Sequence, residues 1–211
     1  MFTMSTSKKT LSDEPSYHHG NLREALVTKG LELLEAGQAD FSLRELTRQV
    51  GVSANAAYRH FASKEALLSA MAAQGFHQLA VAQALSLQGR SDPMSGFMEA
   101  GRTYVNYARQ HPALFRLMFG RFAASNPDGE LQSAAQMAYA GLRFGVAAVL
   151  RRSVESAEVL AAAMHAWSLV HGLSQLIIDG QLQAHTDDID ALVDTVLRQA
   201  AAFRGTDDPS G

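Results

Sequence analysis

Between Phe41 and Lys64 the chain sets out four cations, Arg44, Arg48, Arg59 and Lys64, against a single carboxylate, Glu45. Asn55, Tyr58 and His60 lie among them, and all three side chains can bond phosphate oxygens or base edges. The arginine fork matches O6 and N7 of guanine, an asparagine amide matches N6 and N7 of adenine, and an alanine methyl packs on a thymine methyl. Arg44 and Asn55 are therefore candidates for base readout, and Ala54 and Ala56 for thymine contact. For Arg44 a phosphate contact stays open, as does a capping or solvated role for Asn55. Tyr58, His60 and Lys64 each offer a donor to an anion, and Lys64 gains further if it opens a helix, whose N-terminus attracts negative charge. This is the chemistry of binding a polyanion, not of making bonds. The chain contains no GxSxG, no HExxH, no Gly-rich phosphate loop and no paired carboxylates on one helix face. His18 and His19 are adjacent, so they diverge instead of converging on one metal ion.

Two short helices must position these side chains. Ser42 followed by Glu45 is a capping box, and Leu43, Leu46, Thr47 and Val50 recur at helical spacing until Gly51 stops them. Val52 plugs the turn, Ser53 caps a second helix, and Ala54 to Arg59 is too short to stand without packing on its neighbour. Ser42 and Ser53, at the two helix starts, belong to the DNA-facing set. Helix, glycine turn and helix together form a helix-turn-helix that reads double-stranded DNA. Ahead of it, Leu22, Ala25, Leu26, Gly30, Leu33 and Leu34 form one apolar stripe that ends at Gly37, so a first helix braces the reading pair. Phe61 reads as core.

Arg44-Glu45-Leu46, Gly51-Val52-Ser53, Tyr58-Arg59-His60-Phe61 and Ser63-Lys64-Glu65-Ala66-Leu67 resemble the DNA-binding domain of the TetR family of one-component repressors, in order over roughly Tyr17 to Leu68. The resemblance implies phosphate contacts for Tyr58, His60 and Lys64. It also implies a repressor that releases its operator when an effector binds. Family members often carry a polar residue where this chain has Ala54 or Ala56. His111-Pro112-Ala113-Leu114-Phe115 and Trp167-Ser168-Leu169-Val170-His171-Gly172 are similar to the WHG-type ligand-binding domain of one branch of that family.

Overall composition alone says little, since the 211 residues carry a net charge of −3 and an ordinary apolar fraction. Split at Lys64, the charge is informative: eight Lys/Arg against seven Asp/Glu before the cut, ten against fourteen after it. The anion-binding end is N-terminal. Cysteine is absent, which excludes disulfides and thiolate metal sites. With no basic n-region and apolar h-region at the start, a cytoplasmic location is expected.

Beyond Ser63, an N-cap, an apolar pattern runs through Leu67, Leu68, Met71, Phe76 and Leu79 to about Leu87 without proline, which predicts one long connector helix. Gly89 to Pro93 interrupts it. A stripe of Phe97, Gly101, Tyr104, Val105 and Ala108 follows and closes at His111-Pro112. Leu114 to Phe122 is short and aromatic, Asn126 to Gly129 is a turn, and Leu131 to Val149 predicts a helix with Arg143, Arg151 and Arg152 toward water. Ser156 opens a helix that is apolar nearly all round from Val159 to Ile178. Its length would allow a membrane span, but His165, Ser168, His171, Ser174 and Gln175 interrupt it, so it is expected to be buried on both sides in a protein that does not enter membranes. The last helix, Asp187 to about Phe203, carries its own stripe.

The sequence thus predicts an all-α chain of about nine helices. Residues 1–16 form a disordered arm, 17–64 the three-helix DNA-binding domain, 65–204 an effector-binding and dimerisation domain, and 205–211 a tail. Val170, Leu173, Ile177, Leu192, Val196 and Phe203 are expected in a four-helix homodimer interface, which supplies two reading heads for a palindromic operator. Phe76, Tyr104, Leu117, Met118, Phe122, Tyr139, Leu142, Trp167 and His171 are expected around an apolar cavity for a small effector, with no metal or cofactor. The rival readings are a helical-bundle enzyme using His165 or His171 as acid/base and a DNA-binding protein without an effector.

Overall fold

The computed structural model describes residues 22–120, 122–123 and 129–202. His18 and His19, the arm, the turn at Asn126 to Asp128, Phe203 and the tail lie outside the described residues. Among the described residues all regular structure is helical. The elements are α1 (Leu22–Glu35), α2 (Leu43–Val50), α3 (Ala54–Tyr58), α4 (Lys64–Ser86), α5 (Pro93–Gln110), α6 (Pro112–Phe119), α7 (Gly129–Leu150), α8 (Ala157–Ile178) and α9 (Ile189–Ala202).

Local chemistry sets most of the boundaries. Ser42, Ser53, Ser63 and Ser156 each accept a backbone N–H of the first helical turn, and Asp92 does the same for α5 with Pro93 at the first helical position. Gly51 ends α2 at φ 78°, with its N–H on Arg48 O and that of Val52 on Thr47 O, the paired bonds of a Schellman cap. The last helix starts at Ile189, two residues later than expected. Asp188 Oδ1 accepts Ala191 N–H at 2.9 Å, and the Thr186 hydroxyl accepts Asp188 N–H at 3.1 Å, so the chain is held in a turn up to that point.

Helix α4 is the spine. Leu67, Ala70, Met71, Ala72, Ala73 and Phe76 are all buried, because α1 packs on one side and α6 and α7 on others. Two glycines set the closeness of that packing. A Cβ at Gly30 would stand 2.8 Å from Met71 Sδ, and one at Gly75 would stand 2.6 Å from Met118 Sδ. One hydrophobic core therefore runs from Leu26 and Leu46 through α4 to Phe115 and Met118, so the N-terminal unit and the C-terminal bundle are packed as one body.

Most of the residues expected at a dimer face are engaged by packing within the chain. Leu173 joins Val105, Val193 and Leu197 in a second buried cluster, with Val170, Ile177 and Val196 packed against it. Those residues form the seam between α5, α8 and α9 within one chain, because positions 170, 173 and 177 share the helix face that meets α5. Leu192 is half-buried and outside that cluster. The apolar residues turned outward are instead Leu160, Met164 and Leu176 on α8 and Met137 and Phe144 on the neighbouring α7, the last of them 63% exposed. Gly172 also faces outward, with nothing within 4 Å of a Cβ placed there, so it does not serve a close approach inside this chain. Arg143 is not free in water either, since its guanidinium bonds Val154 O and Glu155. No helix among the described residues is long and apolar enough to cross a membrane.

Candidate DNA-reading unit and effector cavity

The reading unit is built by α2, α3 and their turn. Leu43, Leu46, Thr47 and Ala57 are buried beneath it, so the opposite faces are presented outward. Ser42, Arg44, Ser53, Asn55, Tyr58 and His60 are exposed, while Ala54 and Ala56 are half-buried. Ser42 Oγ accepts Glu45 N–H at 3.1 Å and Ser53 Oγ accepts Ala56 N–H at 3.3 Å, so both serines serve first as caps. Among the described residues Arg44, Arg48 and Arg59 have no carboxylate partner. The C-terminal bundle differs in degree: among its described residues Arg90, Arg102, Arg109, Arg116, Arg143 and Arg152 are each paired with an acid, and Arg151 and Arg198 are not. Uncommitted positive charge is thereby concentrated on the reading unit, a signal that the sequence count only partly revealed.

Lys64 sits at the first position of α4 as expected, but it is partly spent. Its Nζ donates to Ala39 O at 3.2 Å and lies 5.1 Å from the centre of the Phe41 ring. These contacts clamp the α1–α2 connection onto the start of α4, and the ammonium retains donors for a phosphate.

Helices α4 to α9 line a partly open cavity of about 820 Å³. Phe76, Tyr104, Met118, Tyr139, Leu142 and Trp167 line it. Leu117 does not, because it lies on the other side of α6 against the main core. Phe122 is half-buried outside the wall. His171 stands behind the wall, with Nδ1 2.9 Å from the Tyr104 hydroxyl and its ring stacked on Phe115 at 5.3 Å. Tyr104 also accepts Trp167 Nε1–H at 3.3 Å. Burial raises the Tyr104 phenol above its ordinary range and lowers His171 below its own, so both are neutral near pH 7. Phe119, absent from the expected set, closes the inner end: its ring centre is 5.1 Å from that of Phe76 and 4.8 Å from that of Phe115. Its position four residues after Phe115 on an apolar helix is the signal that would have found it.

A second contact joins the two ends of the molecule. His111, the N-cap residue of α6, makes no side-chain cap, and Glu35 at the end of α1 takes that place by accepting Leu114 N–H at 3.1 Å. The other end of α6 carries Met118 and Phe119 into the cavity wall.

Fold and site together define a helical regulator with a helix-turn-helix head and a ligand-sized cavity behind it. The family model "Bacterial regulatory proteins, tetR family" matches residues 26–71, and "Tetracyclin repressor-like, C-terminal domain" matches residues 97–200. The chain belongs to the TetR family, whose members are DNA-binding transcriptional regulators. Among solved structures, a protein of unknown function from Rhodococcus sp. RHA1 is 29% identical, with a TM-score of 0.74 over 91% of this chain and 98% of that one. A transcriptional regulator from the same organism is 21% identical, with a TM-score of 0.66 over 86% and 97% of the two chains. RolR, solved in complex with resorcinol, shares the fold at 19% identity, a TM-score of 0.60 and coverage of 89% and 93%. No curated protein matches the chain.

Proposed function

We propose that the chain is a homodimeric, cytoplasmic repressor that binds a palindromic operator and leaves it when a small, largely apolar molecule occupies the cavity. The observation that carries this reading is the continuity of α4, a single helix that starts at the clamp on the reading unit and places Phe76 and Leu79 in the cavity wall. From Lys64 to Phe76 the rise is ~18 Å at ~1.5 Å per residue. A tilt of α4 to accommodate a ligand is therefore transmitted directly to α2 and α3. The Glu35 cap gives a second route, through α6 and α1. RolR supports the reading, since a protein of this fold holds a small aromatic molecule.

Dimerisation in this reading uses the outward apolar residues of α7 and α8, Met137, Phe144, Leu160, Met164 and Leu176. Gly172 has open space where a Cβ would be, which lets a helix of a second copy approach closely. Two heads then meet half-sites ~34–36 Å apart or a multiple of it. Arg44, Asn55, Ala54 and Ala56 face bases, and Tyr58, His60 and Lys64 face phosphates. The enzyme reading is weaker because His171 is bonded to Tyr104 behind the wall and His165, exposed on the cavity lining, has no hydrogen-bond or acid partner among the described residues. Selection of bound sequences from a random DNA pool tests the proposal: a palindrome with that spacing is expected, and failure to enrich any two-fold symmetric site overturns it.

A further inference from the structure

The size and shape of the cavity restrict its ligand, an inference that rests on the effector reading above. Its long walls are α4 and α5, which run antiparallel beside it. A Cβ at Gly96 would stand 3.2 Å from Leu87 Cδ2 at one end, Gln83 Nε2 donates to Ala100 O at 3.0 Å in the middle, and the Tyr107 hydroxyl donates to Gly75 O at 3.1 Å beyond the other end. Lining residues extend along α4 from Phe76 to Leu87 and along α5 from Tyr104 back to Pro93. Each of these spans rises ~16 Å at ~1.5 Å per residue. Helix α7 follows them as a third wall, and a Cβ at Gly145 would stand 3.4 Å from Phe97 near the Leu87 end. At the inner end the Phe119 ring centre is 5.1 Å from that of Phe76 and 6.1 Å from that of Tyr104, both of which are buried. At the outer end Leu87 and the turn into α5 are exposed, as are Ala84 and Gly141 along the α4–α7 side. The cavity is therefore blind at its aromatic end and open toward the α4–α5 turn.

Volume decides how much of that length a ligand uses. An apolar cavity of ~150 Å³ holds a benzene molecule. At about 820 Å³ this one would be left mostly unfilled by a single ring. Unfilled apolar wall forfeits dispersion contacts, and each further methylene buried against it tightens binding about fourfold. Polar groups do not single out one anchoring point, since Ser91 lies at the outer end, Tyr139 and His165 stand on α7 and α8, and Tyr104 is at the inner end. We propose that the effector is an elongated, predominantly apolar molecule ~16 Å long that lies lengthwise between α4 and α5, from the Phe76–Phe119 end to the α4–α5 turn. A molecule of that length bears on about three turns of α4, the helix that carries the reading unit, where a single ring would bear on one.

Two probes test this: 4-octylphenol, which when extended matches the length of the cavity, and 4-ethylphenol, which fills one end of it. Each is titrated into the full chain while the melting temperature and the emission of Trp167, the sole tryptophan, are followed. The octyl compound is expected to bind at least about 100-fold more tightly. Hydrophobicity alone also favours the longer chain, so the deciding measurement shortens the cavity. Ala84→Phe and Ala148→Phe each place a ring in its outer half from an exposed lining position, and the melting temperatures of the unliganded variants verify that they fold. Each is expected to weaken 4-octylphenol at least about tenfold and to change 4-ethylphenol by less than about twofold. If neither variant lowers the octyl-to-ethyl ratio, or if 4-ethylphenol binds the wild type as tightly as 4-octylphenol, the inference is overturned while the effector reading stands. If neither phenol perturbs Trp167 or the melting temperature, the effector reading of the cavity fails and takes this inference with it.

Discussion

Replacing Glu35 with alanine tests whether the head and the bundle are joined as described. The Leu114 N–H is the third of α6, the donor that an N-cap side chain ordinarily satisfies, and Pro112 has already removed one of the others. Leaving a part-buried N–H without its acceptor costs ~1–3 kcal/mol, and loss of an N-cap costs ~0.5–2 kcal/mol. The Glu35 side chain is 27% exposed, so water replaces part of the bond, and ~1–1.5 kcal/mol is the expected loss. For a chain of this length that lowers the melting temperature by about 2–6 °C. Glu35→Gln retains an acceptor oxygen and should recover most of the loss. Glu32→Ala breaks only the exposed pair with Lys29, whose N···O distance is 2.8 Å, and should change stability by less than ~0.5 kcal/mol. Calorimetry or urea denaturation reads all three. A second measurement concerns function: if α6 carries signal, Glu35→Ala should bind operator and ligand separately with near wild-type affinity but show a smaller coupling between them than the ~5–150-fold usual for allosteric pairs. A Glu35→Ala protein that melts with the wild type refutes the cap, and one with undiminished coupling refutes the relay.

Phe144→Lys, on the outward face of α7, should yield a folded monomer in sedimentation at micromolar concentration. Leu173→Lys, inside the α5–α8–α9 seam, should fail to fold, because burying an unpaired charge costs several kcal/mol; the reverse pattern would place the interface at that seam. On DNA, Lys64→Ala should weaken specific and random sequences alike and make the log-log salt slope shallower by about one unit, whereas Arg44→Ala should cost ~1–3 kcal/mol mainly at one base pair. Equal losses on both kinds of DNA would make Arg44 a phosphate contact. Burial holds His171 below its ordinary value of 6.5, so the folded chain binds fewer protons than the unfolded chain in the window beneath that value. Its contribution to stability is complete above about pH 6.5 and is lost as pH falls toward the lowered value; the melting temperature should decline over that window more steeply in the wild type than in His171→Gln, and parallel curves would discount it.

The parts of the molecule that were legible in the sequence are those governed by neighbours a few residues apart. Ser42 with Glu45, Gly51 with Val52, and Ser53 before Ala54 specify caps whose bonds close within one turn, so the reading unit emerged with nearly its true boundaries. Helix α8 shows where that logic stops. Along α8 the inward set of Val170, Leu173 and Ile177 and the outward set of Leu160, Met164 and Leu176 are equally apolar, so hydrophobicity carries no phase to tell them apart. Only the packing of α5 and α9 against one side decides it. The cavity shows the same division. Tyr104, Trp167 and Phe76 were foreseeable as large side chains on inward stripes, but whether such side chains fill the space or surround it depends on gaps between helices. His171 shares the helix face of Trp167 and packs edge-on against its ring at 6.2 Å, yet it falls behind the wall, with its Nδ1 bonded to the Tyr104 hydroxyl. Glu35 was the least visible, since its partner lies 79 residues away in sequence and nothing around Glu35 differs from an ordinary charged helix end. Local rules therefore located the head, while the surfaces that couple it to the bundle were set by contacts that only the folded chain creates.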